Sequence, residues 1–187
     1  MSRPGPLEKG AFSLLGLEAS GDNEPMRFGI RQEMQADVLV LRLEGHFDEQ
    51  ASLPTLDPLL HPKIEMNFEK ITLINSVGVR SWIKWVSDKQ GKSKISYTHC
   101  PKIIVDQMNM VSALSKSGQV ESFYVPYFCE ASSTSVQFLF RRGKEFDEKT
   151  LRFPTQVPCP NGDSMAEIDV IEKTYFKFLN LSALPTP

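Results

Sequence analysis

The chain has 187 residues, 41% of them apolar and 24% charged, which is the balance of a soluble globular protein with room for one ordinary domain and an appendage. Twenty-one Lys and Arg against 23 Asp and Glu leave a formal charge of −2, which excludes a chain that coats nucleic acid or an acidic membrane by bulk charge. No apolar run approaches the roughly 18 residues of a membrane span, and the odd number of cysteines, three, argues for a reducing, cytoplasmic setting.

Residues 1–25 carry Pro4, Pro6, Pro25 and four glycines and read as a flexible tail. The apolar stretch Ala11 to Leu17 lacks a basic leader and is not read as a signal peptide. From Met26 onward the pattern becomes regular. Phe28 and Ile30 alternate with polar neighbours, a half-buried strand, and Val38 to Leu43 is an almost unbroken apolar run that suits a strand covered on both faces. Leu53, Leu56 and Leu60 fall at roughly helical spacing over Asp48 to Leu60, a helix limited by Pro54 and Pro58. Ile64, Met66 and Phe68 alternate as a strand. Val79, Trp82, Ile83 and Val86 follow at i, i+3, i+4 and i+7, an amphipathic helix closed by Gly91. Ile95 and Tyr97 mark another strand. A helix from Pro101 carries Ile104, Met108, Val111 and Leu114 to Gly118, and Val120 to Phe128 reads as a further strand.

Strands and helices alternate with short connections over 26–128, which predicts an α/β domain with a mixed sheet and helices mostly on one face. Residues 129–187 read as a small β-rich subdomain ending in a helix. Val136, Phe138 and Phe140 form a strand, Arg141 to Lys144 a hairpin tip, and Leu151 to Val157 a second extended piece. Ser164 and Glu167 have capping-box spacing ahead of a terminal helix with Ile168, Ile171, Tyr175 and Phe178 on its apolar face.

Three patterns between Leu39 and Val86 resemble a STAS domain, the fold of bacterial anti-sigma-factor antagonists. They are Leu43-Glu44-Gly45-His46-Phe47-Asp48, a strand ending in Gly and then an acidic residue before the first helix; the alternating segment Ile64 to Ile74; and Ile74-Asn75-Ser76-Val77-Gly78-Val79, which looks like that family's Asp-Ser-Ser-Gly-Leu turn into the second helix. The resemblance implies a docking surface for a protein partner, an anti-sigma factor or kinase-like regulator, with phosphorylation of the serine before the turn glycine as its switch. This chain departs there. Val77 has no hydroxyl, and Asn75 stands for the family's aspartate. Ser76 keeps a hydroxyl one residue earlier, where its side chain aims differently.

From the residues alone, Asn75 or Ser76 is a helix N-cap. What the resemblance implies is that Asn75, Ser76, Val77, Gly78 and Arg80, with Asp48 and the loop Gly45–Glu49, form the partner-binding surface. Trp85 reads either as a rim anchor or as a residue packed at the core edge.

Cys129 and Cys159 stand where a zinc ribbon places the first cysteine of each knuckle, but the matching positions hold Ser132 and Gly162, so the appendage resembles a degenerate, metal-free ribbon. The two cysteines are expected as small buried apolar residues, and a disulfide between them as open in a reducing compartment. No phosphate loop, dinucleotide fingerprint, zinc-protease helix or nucleophile elbow is present. His99 and Cys100, adjacent in a strand, would point to opposite faces. Asp48 and Glu49 serve as loop caps rather than an acid–base pair, and Arg141, Arg142 and Lys144 as a solvated turn rather than a nucleic-acid contact.

The expectation is a non-enzymatic interaction module without cofactor. The alternatives left open are a STAS-like subunit of a transport or other assembly, a homodimer, and an enzyme or small-ligand sensor with a pocket between the lobes. Convergent polar groups with strongly shifted pKa values in such a pocket would favour the last.

Overall fold

Two five-stranded sheets share one hydrophobic core. The computed structural model describes residues 26–160, 162 and 164–181, together with the backbone of Phe12 and Ser13. The rest of the expected tail, 1–25, lies outside the described residues.

The first sheet has the order β2-β3-β4-β5-β6. Strand β2 (Gly29–Gln35) runs antiparallel to β3 (Val38–Phe47), and β4 (Lys63–Ile74), β5 (Lys94–Thr98) and β6 (Gln119–Val120) follow in parallel. Parallel neighbours need crossovers, and α1 (Ser76–Ser87), α2 (Lys102–Met110) and α3 (Ser112–Ser117) supply two of them. The expected single helix after Pro101 is therefore two, broken at Val111, whose backbone is extended.

Alternation in β3 and β4 builds the core. Leu39, Leu41, Leu43 and Phe47 are buried with Ile64, Met66, Phe68 and Ile71. Phe68, Trp82 of α1 and Tyr97 of β5 form a three-ring contact with centroids 4.8–5.8 Å apart, which fastens the helix layer to the sheet. Val40 is buried too, but Arg42 and Glu44 are only half covered, so β3 is not enclosed on both faces as its composition suggests. Its second face is polar.

The helix expected over Asp48 to Leu60 does not form. The β3–β4 crossover has no regular secondary structure, only turns at 49–50 and 58–60, because two prolines four residues apart deny a helix its backbone donors. Leu53 and Leu56 pack on the core, whereas Leu59 is 89% exposed.

The second sheet, order β1-β8-β7-β10-β9, is antiparallel. It joins β1 (Phe12–Ser13), β7 (Ser122–Cys129), β8 (Thr134–Arg141), β9 (Gln156–Pro158) and β10 (Met165–Ile168). Strand β7, expected to close the first unit, belongs here, and Cys100 bridges to Phe123 where the sheets meet. The tight hairpin is β7–β8, turning at 130–133; the chain also turns at Arg141 to Lys144, but the piece beginning at Leu151 pairs with Phe146 and β10 instead of returning along β8. The Ser164–Glu167 capping box is also overturned. Residues 165–168 are strand, paired to β7 and β9, and among the described residues beyond them only α4 (Glu172–Tyr175) and a 3-10 turn, Lys177–Leu179, are helical. Phe123, Phe140, Phe146, Phe176 and Phe178 stack over this sheet. Asn109 of α2 donates to the Tyr175 carbonyl and accepts from the Phe178 N–H, pinning the terminal turns to the helix layer.

Cys129 and Cys159 are joined in a disulfide with Cα atoms 5.9 Å apart, in place of the two separate buried thiols expected. Pairing of β10 with both β7 and β9 brings the two cysteines together. Neither sulfur is then free to ligate a metal. Ser132 bonds to Thr134, and Gly162 sits in an exposed left-handed turn. Among the described residues no group of three or more His, Cys, Asp or Glu converges as a metal cluster, and no helix is long and apolar enough to cross a membrane.

Candidate functional site

The turn between β4 and α1 is built by Asn75. Its side-chain oxygen accepts from the N–H groups of Val77 and Gly78 at 2.9 and 3.0 Å, satisfying two donors that a helix start leaves orphaned. Its amide donates to the Glu49 carboxylate at 2.8 Å. Glu49 is thus held below the usual carboxylate range, first by its own backbone N–H and then by Asn75. Asp48 closes its own turn by accepting from the Gln50 N–H. The α1 start and the loop after β3 are therefore one connected ridge.

Gly78 sets how closely the two halves approach. A Cβ there would lie 1.9 Å from the Phe47 carbonyl oxygen, so only glycine lets α1 seat against the end of β3. Ser76 and Arg80 are exposed and Val77 is half-buried. Arg80 makes no ion pair among the described residues, and no acidic side chain occupies the first turn of α1, so this end of the helix is electropositive apart from Glu49.

The structure thus brings Asn75, Ser76, Val77, Gly78, Arg80 and Asp48 together. Trp85 is apart from them. It is 8% exposed, its indole N–H donates to the Pro54 carbonyl at 2.7 Å, and Lys89 lies over its ring. It packs beneath the crossover and is no rim anchor. The basic turn is also spoken for. Arg142 donates to the Val120 carbonyl, pairs with Glu121 and lies over Phe146, while Lys144 pairs with Glu145.

A second site was not legible from motifs. A cleft of about 640 Å³ lies between the polar face of the first sheet and the second sheet, lined by Glu44, Glu69, Lys70, Pro101, Tyr124 and Gln137 among others. A smaller cavity beside it shares Glu44, Glu69 and Lys70 and reaches Arg42 and Asn67. Two bulges in β4 shape this region. Phe68 and Glu69 together oppose Leu43, and Thr72 is a second extra residue. Each bulge re-aims the side chains that follow it.

Next to the cleft, the hydrogen bonds fix a tautomer. The Glu69 N–H donates to the Asn67 side-chain oxygen, so Asn67 turns its NH2 toward His99 Nδ1, 3.3 Å away. His99 Nδ1 is then the acceptor, and the neutral ring carries its proton on Nε2. Protonating Nδ1 would set donor against donor. Burial is the main cause holding the His99 pKa below its ordinary value, against the pull of Glu69 and Glu65. His99 also has φ +50, the sparsely populated left-handed region, so it stands just past β5 rather than alternating within a strand.

Tyr124 donates to Glu69 at 2.9 Å, and burial with that carboxylate keeps the phenol protonated. Thr98 donates to Glu65 at 2.7 Å. Glu65, Glu69 and Lys70 have no ion-pair partner among the described residues. The cleft therefore offers donors and acceptors of both charges. It offers no thiol nucleophile, since Cys100 is fully buried and its pKa is pushed well up by desolvation. The sequence signal that marks this face is the polar parity of Arg42, Glu44, Glu65 and Asn67 on two apolar strands.

No protein-family model matches the sequence, and no curated protein matches it.

Proposed function

We propose that the chain is a non-enzymatic protein-interaction module, STAS-like over its first sheet, that docks a regulatory protein through the ridge formed by Asp48–Glu49 and Asn75–Arg80. The observation that carries this reading is the Asn75–Glu49 bond, which fixes two sequence-distant loops into one exposed surface, with Ser76 and Arg80 free to meet a partner. The antiparallel strand leading into parallel strands, with a capped helix following β4, supports the resemblance. The helix-free crossover before β4 departs from it. With Val77 at the phosphoacceptor position, docking here is constitutive rather than switched by phosphorylation of that residue. The disulfide favours a compartment in which thiols are not kept reduced, against the cytoplasmic expectation.

The test is affinity capture from the source cell with wild type beside Val77→Asp and Arg80→Glu. An aspartate in the first turn suits the helix dipole, so the fold survives. A partner held by wild type and lost by both variants is the expected result. A partner held equally by all three places docking elsewhere.

The cleft favours a second reading, a small-ligand sensor. Ligands that raise the melting temperature of wild type but not of a Glu69→Ala, Tyr124→Phe variant would establish it.

A further inference from the structure

Strand β2 is the free edge of the first sheet. It pairs with β3 on one side over seven residues, and among the described residues no strand lies on its other side. Its burial is half at Gly29 and Ile30 and none from Arg31 to Gln35. An edge of this length presents unpaired N–H and C=O groups along one side and is a template for another strand. Natural edges are commonly blocked by charge. Here the charges are arranged so that they select one partner rather than exclude all.

We infer that two copies of this chain join through their β2 strands, antiparallel about a twofold axis at Gln32, to make one continuous ten-stranded sheet. The argument is one of register. A twofold normal to the sheet keeps every side chain on its own face, so an odd-numbered residue can oppose only an odd-numbered residue. Centring the axis on Gln32 sets Arg31 of each copy against Glu33 of the other. It sets Ile30 against Met34 on the opposite face, where Met34 is 55% exposed in the single chain. Shifting the axis by one residue either way sets Arg31 against Arg31, or Glu33 against Glu33. Like charges directly opposite are destabilising, so those registers are disfavoured. The sequence Ile30-Arg31-Gln32-Glu33-Met34 is thus self-complementary about its centre.

The charged groups facing this edge are consistent with the pairing. Arg31 pairs with Glu44 at 2.7 Å and Glu33 with Arg42 at 3.3 Å, each from the neighbouring β3, and the Arg31 and Glu33 side chains remain more than half exposed. Asp37, in the turn from β2 to β3, pairs with Lys63 of β4 and stands outside the pairing. Exposed pairs of this kind contribute little to the fold. They can therefore be exchanged without unfolding the chain.

Two variants test the inference together. Glu33→Arg leaves two arginines on the edge, and Arg31→Glu leaves two glutamates. Each homodimer then opposes like charges in the proposed register, while a mixed dimer pairs every arginine with a glutamate. Sedimentation velocity on the full chain is expected to show wild type as a dimer, each variant alone as a monomer, and their equimolar mixture as a dimer again. Circular dichroism confirms that both variants fold. A second measurement fixes the axis. Gln32→Cys opposes its own counterpart at a Cα separation of about 4.5–5.5 Å, within disulfide reach. It is expected to cross-link as a covalent dimer in air, whereas Met34→Cys, which opposes Ile30, is not. Wild type that stays monomeric into the millimolar range overturns the inference. So does a dimer that both single variants retain, or one that cross-links through Met34→Cys in preference to Gln32→Cys.

Discussion

Replacing Gly78 with alanine gives the sharpest test of how α1 is seated. By intrinsic preference the change should help, because alanine in a helix is favoured over glycine by about 1 kcal/mol. The structure reverses that sign. The new Cβ would stand 1.9 Å from the Phe47 carbonyl oxygen and 2.7 Å from its carbon, and both are backbone atoms that no rotamer change can move. The gap must open to at least 3.0 Å, so the start of α1 must lift from the end of β3. That movement takes with it the bond from the Asn75 N–H to the Phe47 carbonyl, now 3.2 Å. Overpacking of this kind costs about 1–3 kcal/mol, and the lost hydrogen bond about 1 kcal/mol more. Net of the propensity gain, Gly78→Ala is expected to lose about 2 kcal/mol, a fall in melting temperature of roughly 4–8 °C for a chain of this size. Differential scanning calorimetry reads it directly. Ser87→Ala, an exposed position in the last turn of the same helix, is the control and should be neutral or slightly stabilising. A Gly78→Ala protein as stable as wild type would refute the close approach that ties the ridge together.

Other outcomes follow from the same geometry. Removing the disulfide with Cys129→Ala and Cys159→Ala reopens a loop of sequence separation 30, which by chain entropy costs about 3.6 kcal/mol; thiol titration of denatured, unreduced wild type should correspondingly find only Cys100. Asn75→Ala removes the α1 cap and the link to Glu49, and should lower stability by about 1 kcal/mol in urea titration with an unchanged slope. The His99 pKa in the fold lies below its unfolded value, so its contribution is complete above that unfolded value of about 6.5 and is lost as pH falls toward the folded one. The stability advantage of wild type over His99→Asn, which tolerates the same backbone, should therefore shrink as pH falls below neutral. Asn67→Asp should raise the His99 pKa in an NMR titration, since a carboxylate replaces the NH2 group that opposes the proton; an unchanged value would refute the tautomer assignment.

Much of the first sheet could be read from the chain because its signals are local. Leu39 to Phe47, Ile64 to Phe68 and the Val79–Val86 stripe each carry their period in a few residues, and Asn75 announces a cap. The failures have physical causes. Leu53, Leu56 and Leu60 mimic a helical stripe, yet Pro54 and Pro58 remove the donors a helix needs, and the leucines reach the core from irregular chain or not at all. Ser164 and Glu167 mimic a cap, but the strand pairing offered by β7 and β9 outweighs a local preference. The disulfide and the cleft depend on which strands become neighbours, which no short motif encodes. Polar residues such as Asn67 and Glu69 gain meaning only once Tyr124 and His99 arrive from elsewhere in the chain.

The two tryptophans, both on α1, occupy opposite situations. Trp82 is sealed between Phe68 and Tyr97, while the indole of Trp85 is tethered to Pro54 in a crossover that has no secondary structure of its own. The molecule therefore contains a built-in optical gauge. Anything that pries the crossover away wets one indole and shifts its emission to the red, while the other stays dark to the event and serves as the reference.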